Sequence, residues 1–167
     1  MACFAGPAEV LALPEPKLPV LQAAWHYARG EAFARRNDPA SVRQEAGAIR
    51  GITGELSTDD ASMQAQTMTF IARNVLLGRA AMLEHRPQEA AVAFAQAAEM
   101  EEGSDFRSIA DPPAWYYPVR RDLAAALLAA NDATGARREA QAALQFRPRD
   151  PRTLALLAQL GGAAPAR

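Results

Sequence analysis

A pattern that occurs twice, in the same order and with the same internal spacing, constrains this chain more than any other feature. Leu77, Gly78, Ala90, Phe94 and Ala97 are matched further on by Leu123, Ala124, Ala136, Ala140 and Ala143. Each set describes two helices packed face to face. A small residue at Gly78 or Ala124 lets the partner helix approach closely, Ala90 or Ala136 does the same from the other side, and Phe94 fills the space between. Such hairpins cannot bury their apolar faces alone, so the pattern calls for a stack of them.

Apolar periodicity and helix punctuation place the remaining elements. Leu18, Leu21, Trp25, Ala28 and Ala32 mark one face of a helix from Leu18 to about Arg36. Asp38 is a natural N-cap and Pro39 suits a first turn, which predicts a second helix from Pro39 to Gly51 or Leu56. A cap-rich break, Ser57 to Asp60, precedes a long helix that runs through Met68, Ile71, Leu76 and Leu83 to about His85. Pro87 opens a fourth helix ending near Glu101, and residues 102–113 form a polar connection with Pro112 and Pro113. A fifth helix is expected from Ala114–Tyr117 through Ala130, a sixth from Ala133 to Phe146, and a short last one from Pro151 to Leu160. No strand pattern is left, so the class is all-α.

These spacings resemble the tetratricopeptide repeat, a helix-turn-helix unit with a Trp, Leu-Gly, Tyr, Ala, Phe, Ala, Pro pattern. Leu77-Gly78, Ala90, Phe94 and Ala97 occupy its positions in the clearest copy. Leu123-Ala124, Leu127, Ala136, Ala140, Ala143 and Pro148 do so in the next. Gly30, Phe33, Val42, Ala46 and Ile49 fit a first copy, with Arg29 where leucine is expected, and Leu154, Leu157 and Ala158 begin a further unit. The resemblance implies an α-solenoid of about three hairpins, residues 18–56, 57–101 and 114–148, with a C-terminal capping helix at 151–160. An irregular lead-in at 1–17 and a flexible tail at 161–167 complete the domain plan. The offset between copies exceeds the roughly 34-residue period of the family, so helices or connections are extended. Asp111 to Arg120 also resembles a stretch found in bacterial tetratricopeptide-repeat proteins of uncharacterised function.

In that family the first helix of each pair lines the concave face and selects the partner. Transferring those positions implies a groove built from Tyr27, Glu31, Arg35, Arg79, Met82, Pro118, Arg121 and Asp122. The lysine-and-asparagine clamp that holds chaperone C-termini is not reproduced, because Tyr27, Glu31, Leu76, Pro118 and Asp122 stand at its five positions. Aromatic and arginine side chains dominate binding hot spots, which makes Trp115, Tyr116, Tyr117 and Arg120, with Arg121, a candidate contact surface. With a helix beginning near Ala114, Trp115 and Tyr116 plug the junction between hairpins, while Tyr117 and Arg121, four apart, share an exposed face.

Charge and chemistry narrow the function classes. A net charge of −1 offers no footprint for nucleic acid, although Lys17 is the one lysine among 18 basic residues and arginine forks suit carboxylates. No segment reaches the roughly 18 apolar residues of a membrane span, and Met1 to Val10 makes a poor signal peptide, so a cytoplasmic location is expected, or a periplasmic one if an N-terminal part is missing. Cys3 cannot make a disulfide framework. His26 and His85 share no metal-ligand spacing, and Glu99, Glu101, Glu102 and Asp105 read as a solvated loop. Phosphate loops and nucleophile elbows are missing from the sequence, and Ser57 and Ser62 sit in cap contexts. The expectation is therefore a non-enzymatic module without cofactor or metal that binds a protein or peptide. The alternative is a structural C-terminal segment of a longer solenoid, self-associating into homo-oligomers through the apolar face of its first helix.

Overall fold

The computed structural model describes residues 6–53, 60–103 and 115–162, and these are helical with no strand among them. The helices are α1 (Pro7–Leu11), α2 (Pro19–Arg35), α3 (Pro39–Thr53), α4 (Asp60–Leu83), α5 (Pro87–Glu102), α6 (Arg120–Ala129), α7 (Ala133–Phe146) and α8 (Pro151–Gly162). Each packs on the next in sequence, and α2 also packs on α4. Cys3, Ser57, Asp105, most of the 102–113 connection and the tail from residue 163 lie outside the described residues.

Three hairpins turn in the same way. Asn37, His85 and Asn131 take positive φ angles of 58°, 58° and 65°, the left-handed conformation that ends a helix. After each, the next residue closes the turn onto the preceding helix: Asp38 N–H donates to the Phe33 carbonyl at 3.1 Å, Arg86 to Ala81 at 2.8 Å and Asp132 to Leu127 at 2.9 Å. The following helix then starts on Pro39, Pro87 or Ala133. The Asp38 carboxylate accepts from Ser41 N–H at 3.1 Å, and that of Asp132 from Gly135 N–H at 2.8 Å, satisfying backbone donors that the first helical turn leaves unpaired. A Cβ on Gly135 would collide with the Asp132 carboxylate, so glycine and cap are matched there.

Close approach at the small residues has measurable consequences. A Cβ built on Gly78 would lie 2.5 Å from the Phe94 ring, and one on Gly30 would lie 2.5 Å from Leu76, contacts that real side chains do not make. At the corresponding place in the later hairpin, Ala124 and Ala140 replace Gly78 and Phe94, and both are fully buried. A larger residue on one helix is thus met by a smaller one opposite. The core runs from Val42 and Ile49 through Ile71, Val75 and Leu76 to Phe94, Val119 and Leu123. Burial of a side chain of Phe94's size contributes roughly 2–3 kcal/mol.

Two sequence expectations need correction. The lead-in read as irregular contains the helix α1, whose Val10 is buried, and it is tied to α2 by Trp25 Nε1–H donating to the Leu13 carbonyl at 3.0 Å and Arg29 to Leu11 at 3.2 Å. The fifth predicted helix starts later than Ala114–Tyr117. Residues 115–117 are a bend, Pro118 supplies no N–H, and α6 begins at Arg120.

Candidate functional site

The later start of α6 inverts the exposure expected of the aromatic run. Tyr117 is 5% exposed and Trp115 3%, whereas Tyr116 is 55% exposed. Tyr117 and Arg121 do not share a helix face. The Arg121 guanidinium instead lies over the Tyr117 ring, 4.4 Å from its centroid. Trp115 meets Tyr27 edge to face at 5.3 Å, which holds the bend against α2, and Tyr116 and Tyr117 meet edge to face at 4.8 Å within the bend.

This bend forms one wall of a cleft of about 700 Å³ whose other walls are α2, α4, α6 and the start of α8. Tyr27, Glu31, Arg35, Arg79, Met82, Tyr116, Tyr117, Arg121 and Asp122, nine of the twelve groove and contact candidates read from the sequence, line it. Arg79 sits at its centre. Its Nε donates to Glu31 Oε1 at 3.2 Å and its Nη2 to the Tyr117 hydroxyl at 3.3 Å. The same Nη2 is 2.9 Å from Asp122 Oδ2, an ion pair whose angles fall outside those of a hydrogen bond, so that this buried oxygen has charge compensation without a donor. Tyr27 and Tyr116 join hydroxyl to hydroxyl at 3.1 Å across the rim.

The electrostatics follow from this crowding. Burial raises the hydroxyl pKa values of Tyr27 and Tyr117 well above the ordinary range, so both remain neutral donors. Burial alone would disfavour charge on Arg79, but Asp122, Tyr117 and Glu31 hold its pKa well above the usual value. Burial opposes ionisation of Asp150 too, yet hydrogen bonds from Thr153 and the Arg121 charge bring its pKa below normal. Asp150 accepts from Arg121 Nη1 at 3.0 Å and caps α8 through Thr153 N–H at 2.9 Å, which fixes the end wall.

A second cleft of about 430 Å³ shares Tyr116, Tyr117 and Asp150 with the first and is otherwise walled by Pro118, Phe146, Arg147, Pro148 and Arg149. A third, of about 410 Å³, lies beyond Tyr27 and is bounded by Leu21, Met68, Ala72 and Trp115. Sequence reasoning missed the contribution of Phe146, Asp150 and Arg152. Asp150 and Arg152 escape notice there because the last helix is read only as the cap of the stack.

Three candidates lie elsewhere, Pro118 among them in the second cleft. Trp115 belongs to the third cleft, and Arg120 points away from the first: its Nη2 donates to Glu102 Oε2 at 2.6 Å and its Nη1 contacts Glu139, tying α6 to α5 and α7. Acid read as a solvated loop is partly structural, since Glu102 takes that ion pair and Glu101 Oε2 accepts from Val119 N–H at 2.8 Å. Burial, only partly offset by that bond, pushes the Glu101 carboxyl up to about 7. His26 Nδ1 lies 2.6 Å from Glu45 Oε2, and Arg29 donates to the same carboxylate at 2.8 Å, joining α2 to α3. Among the described residues no three His, Cys, Asp or Glu side chains gather as a metal set, and no helix is long and apolar enough to cross a membrane. Comparison with protein-family models, with curated proteins and with solved structures returns no match.

Proposed function

We propose that this chain is a non-enzymatic protein-interaction module, a stack of tetratricopeptide-like hairpins that receives a peptide segment or surface of a partner protein in the Arg79 cleft. The observation that carries this reading is convergence: side chains from α2, α4, the 115–117 bend, α6 and α8 line one depression although they lie far apart in sequence. Neutral tyrosine hydroxyls and the small floor residues Ala28 and Ala125 suit an extended chain, with Tyr116 as an exposed aromatic contact at the rim. A photo-crosslinking residue placed at Ala28 should capture a partner that the same residue at Gln141, on an exposed face of α7, does not. The captured segment, made as a free peptide, should then bind the wild type and lose binding to Ala28→Arg. Equal capture from both positions would sink the reading.

A second reading has its own observation. Leu13, Leu18 and Leu21 are 52%, 61% and 49% exposed, and Leu21 lines the cleft that contains Met68 and Trp115. That apolar surface supports self-association through the first hairpin. Light scattering would reveal it as a mass that grows with concentration and returns to the monomer value in Leu21→Glu.

A further inference from the structure

The first and second clefts adjoin, with Tyr116, Tyr117 and Asp150 lining both. Their charges are unequal in number and in engagement. The carboxylates along them, Glu31, Asp122 and Asp150, each face Arg79 or Arg121 within 3.2 Å. Those two arginines are thereby committed to the floor. The end wall differs: Arg149 and Arg152 are exposed and make no ion pair among the described residues, while Arg147 reaches back to the Trp115 carbonyl at 3.3 Å. A chain of net charge −1 thus concentrates unmatched positive charge at one end of this cleft. Between that wall and the bend, Tyr116, Pro118, Phe146 and Pro148 present an apolar slot.

Resting on the reading of the cleft as a peptide site, we infer that its occupant is an acidic peptide segment carrying an apolar residue next to its carboxylates. The apolar side chain enters the slot between Tyr116 and Phe146. The side-chain carboxylates then meet the Arg149 and Arg152 guanidinium groups, which present planar donor forks matched to them. The direction of charge is decided by the floor. A basic segment would have to displace Arg79 or Arg121 from carboxylates that already hold them, leaving a half-buried arginine without its partner. An acidic segment displaces nothing.

Fluorescence anisotropy on the full chain tests this with three matched series of short labelled peptides: Asp/Glu with a central Leu or Phe, the same sequences with Asn/Gln, and the same with Lys. The acidic series should bind at least tenfold more tightly than the amide series, and raising the salt concentration should erode the difference. Arg149→Gln with Arg152→Gln should remove about tenfold of the acidic affinity at unchanged melting temperature, and Arg149→Glu with Arg152→Glu should shift preference toward the lysine series. Equal binding of acidic and amide peptides would overturn the charge assignment while leaving the peptide site standing. Preference of the wild type for lysine peptides would overturn it outright, and failure of all three series would overturn this inference together with the peptide reading beneath it.

Discussion

Arg79 on α4 and Asp122 on α6 stand 2.9 Å apart, and this pair joins the second hairpin to the third beneath the cleft. The Glu31 carboxylate of α2 shares the same guanidinium at 3.2 Å, so one side chain connects all three hairpins. Removing it leaves two carboxylates facing each other in a largely desolvated place. Arg79→Gln should cost about 2–3 kcal/mol of stability. Asp122→Asn in the same chain should recover part of that loss. A denaturant double-mutant cycle would measure the coupling, and a value near zero would show that the pair does not act as one unit.

Gly78→Ala sets two effects against each other. Alanine gains about 1 kcal/mol in helix propensity, whereas its Cβ meets the Phe94 ring at 2.5 Å, and forced overpacking costs about 1–3 kcal/mol. Phe94 is 1% exposed and its ring is rigid, so the clash should win and the variant should melt lower than wild type. Phe94→Leu should reverse the sign of the Gly78→Ala effect, bringing this hairpin toward the Ala124–Ala140 arrangement.

His85 occupies a left-handed turn position without the compatibility of glycine or the local hydrogen bonding of asparagine. His85→Gly should therefore raise stability by about 1 kcal/mol, equivalent to a rise of roughly 2–4 °C in Tm for a chain of this size. The same change at Asn37 should give distinctly less. Calorimetry on both variants checks the ranking.

Glu101 confers a pH dependence whose sign is set by its raised pKa, about 7 in the folded chain against 4.5 for the free group. Between those values the folded chain holds a proton that the unfolded chain has released. Its contribution to stability is complete below pH 4.5 and is lost as pH rises through 7. Glu101→Gln keeps an acceptor for the Val119 N–H and removes the titration. The variant should match the wild type at about pH 4 and exceed it by an amount on the order of 1–2 kcal/mol at about pH 8, because the carboxyl is only partly shielded from water. Superimposable melting curves at the higher pH would contradict the assignment.

Local signals carried most of the architecture into the sequence. Asp38-Pro39, Pro87 and Asn131-Asp132 mark helix starts and stops that depend on near neighbours alone, and α3, α5 and α7 begin where those residues indicate. The aromatic run was misread because its exposure hinges on Pro118. Counted as part of a helix, Tyr117 faces water with Arg121. Held outside it, the bend turns Tyr117 inward and Tyr116 outward. Arg120 and Glu101 were beyond local reasoning for another reason: their partners Glu102, Glu139 and Val119 come from other parts of the chain, and no periodicity announces a pairing across helices.

The turns at Asn37, His85 and Asn131 also imply an order of events during folding. Each is closed by bonds between near neighbours, so a hairpin can form on the microsecond scale of local chain search without waiting for any distant segment. The slow step is then the meeting of finished hairpins, with the charges of Arg79 and Asp122 stripped of water as they come together. Kinetic φ-values should accordingly be high for substitutions at the turns and low for those at Arg79 and Asp122.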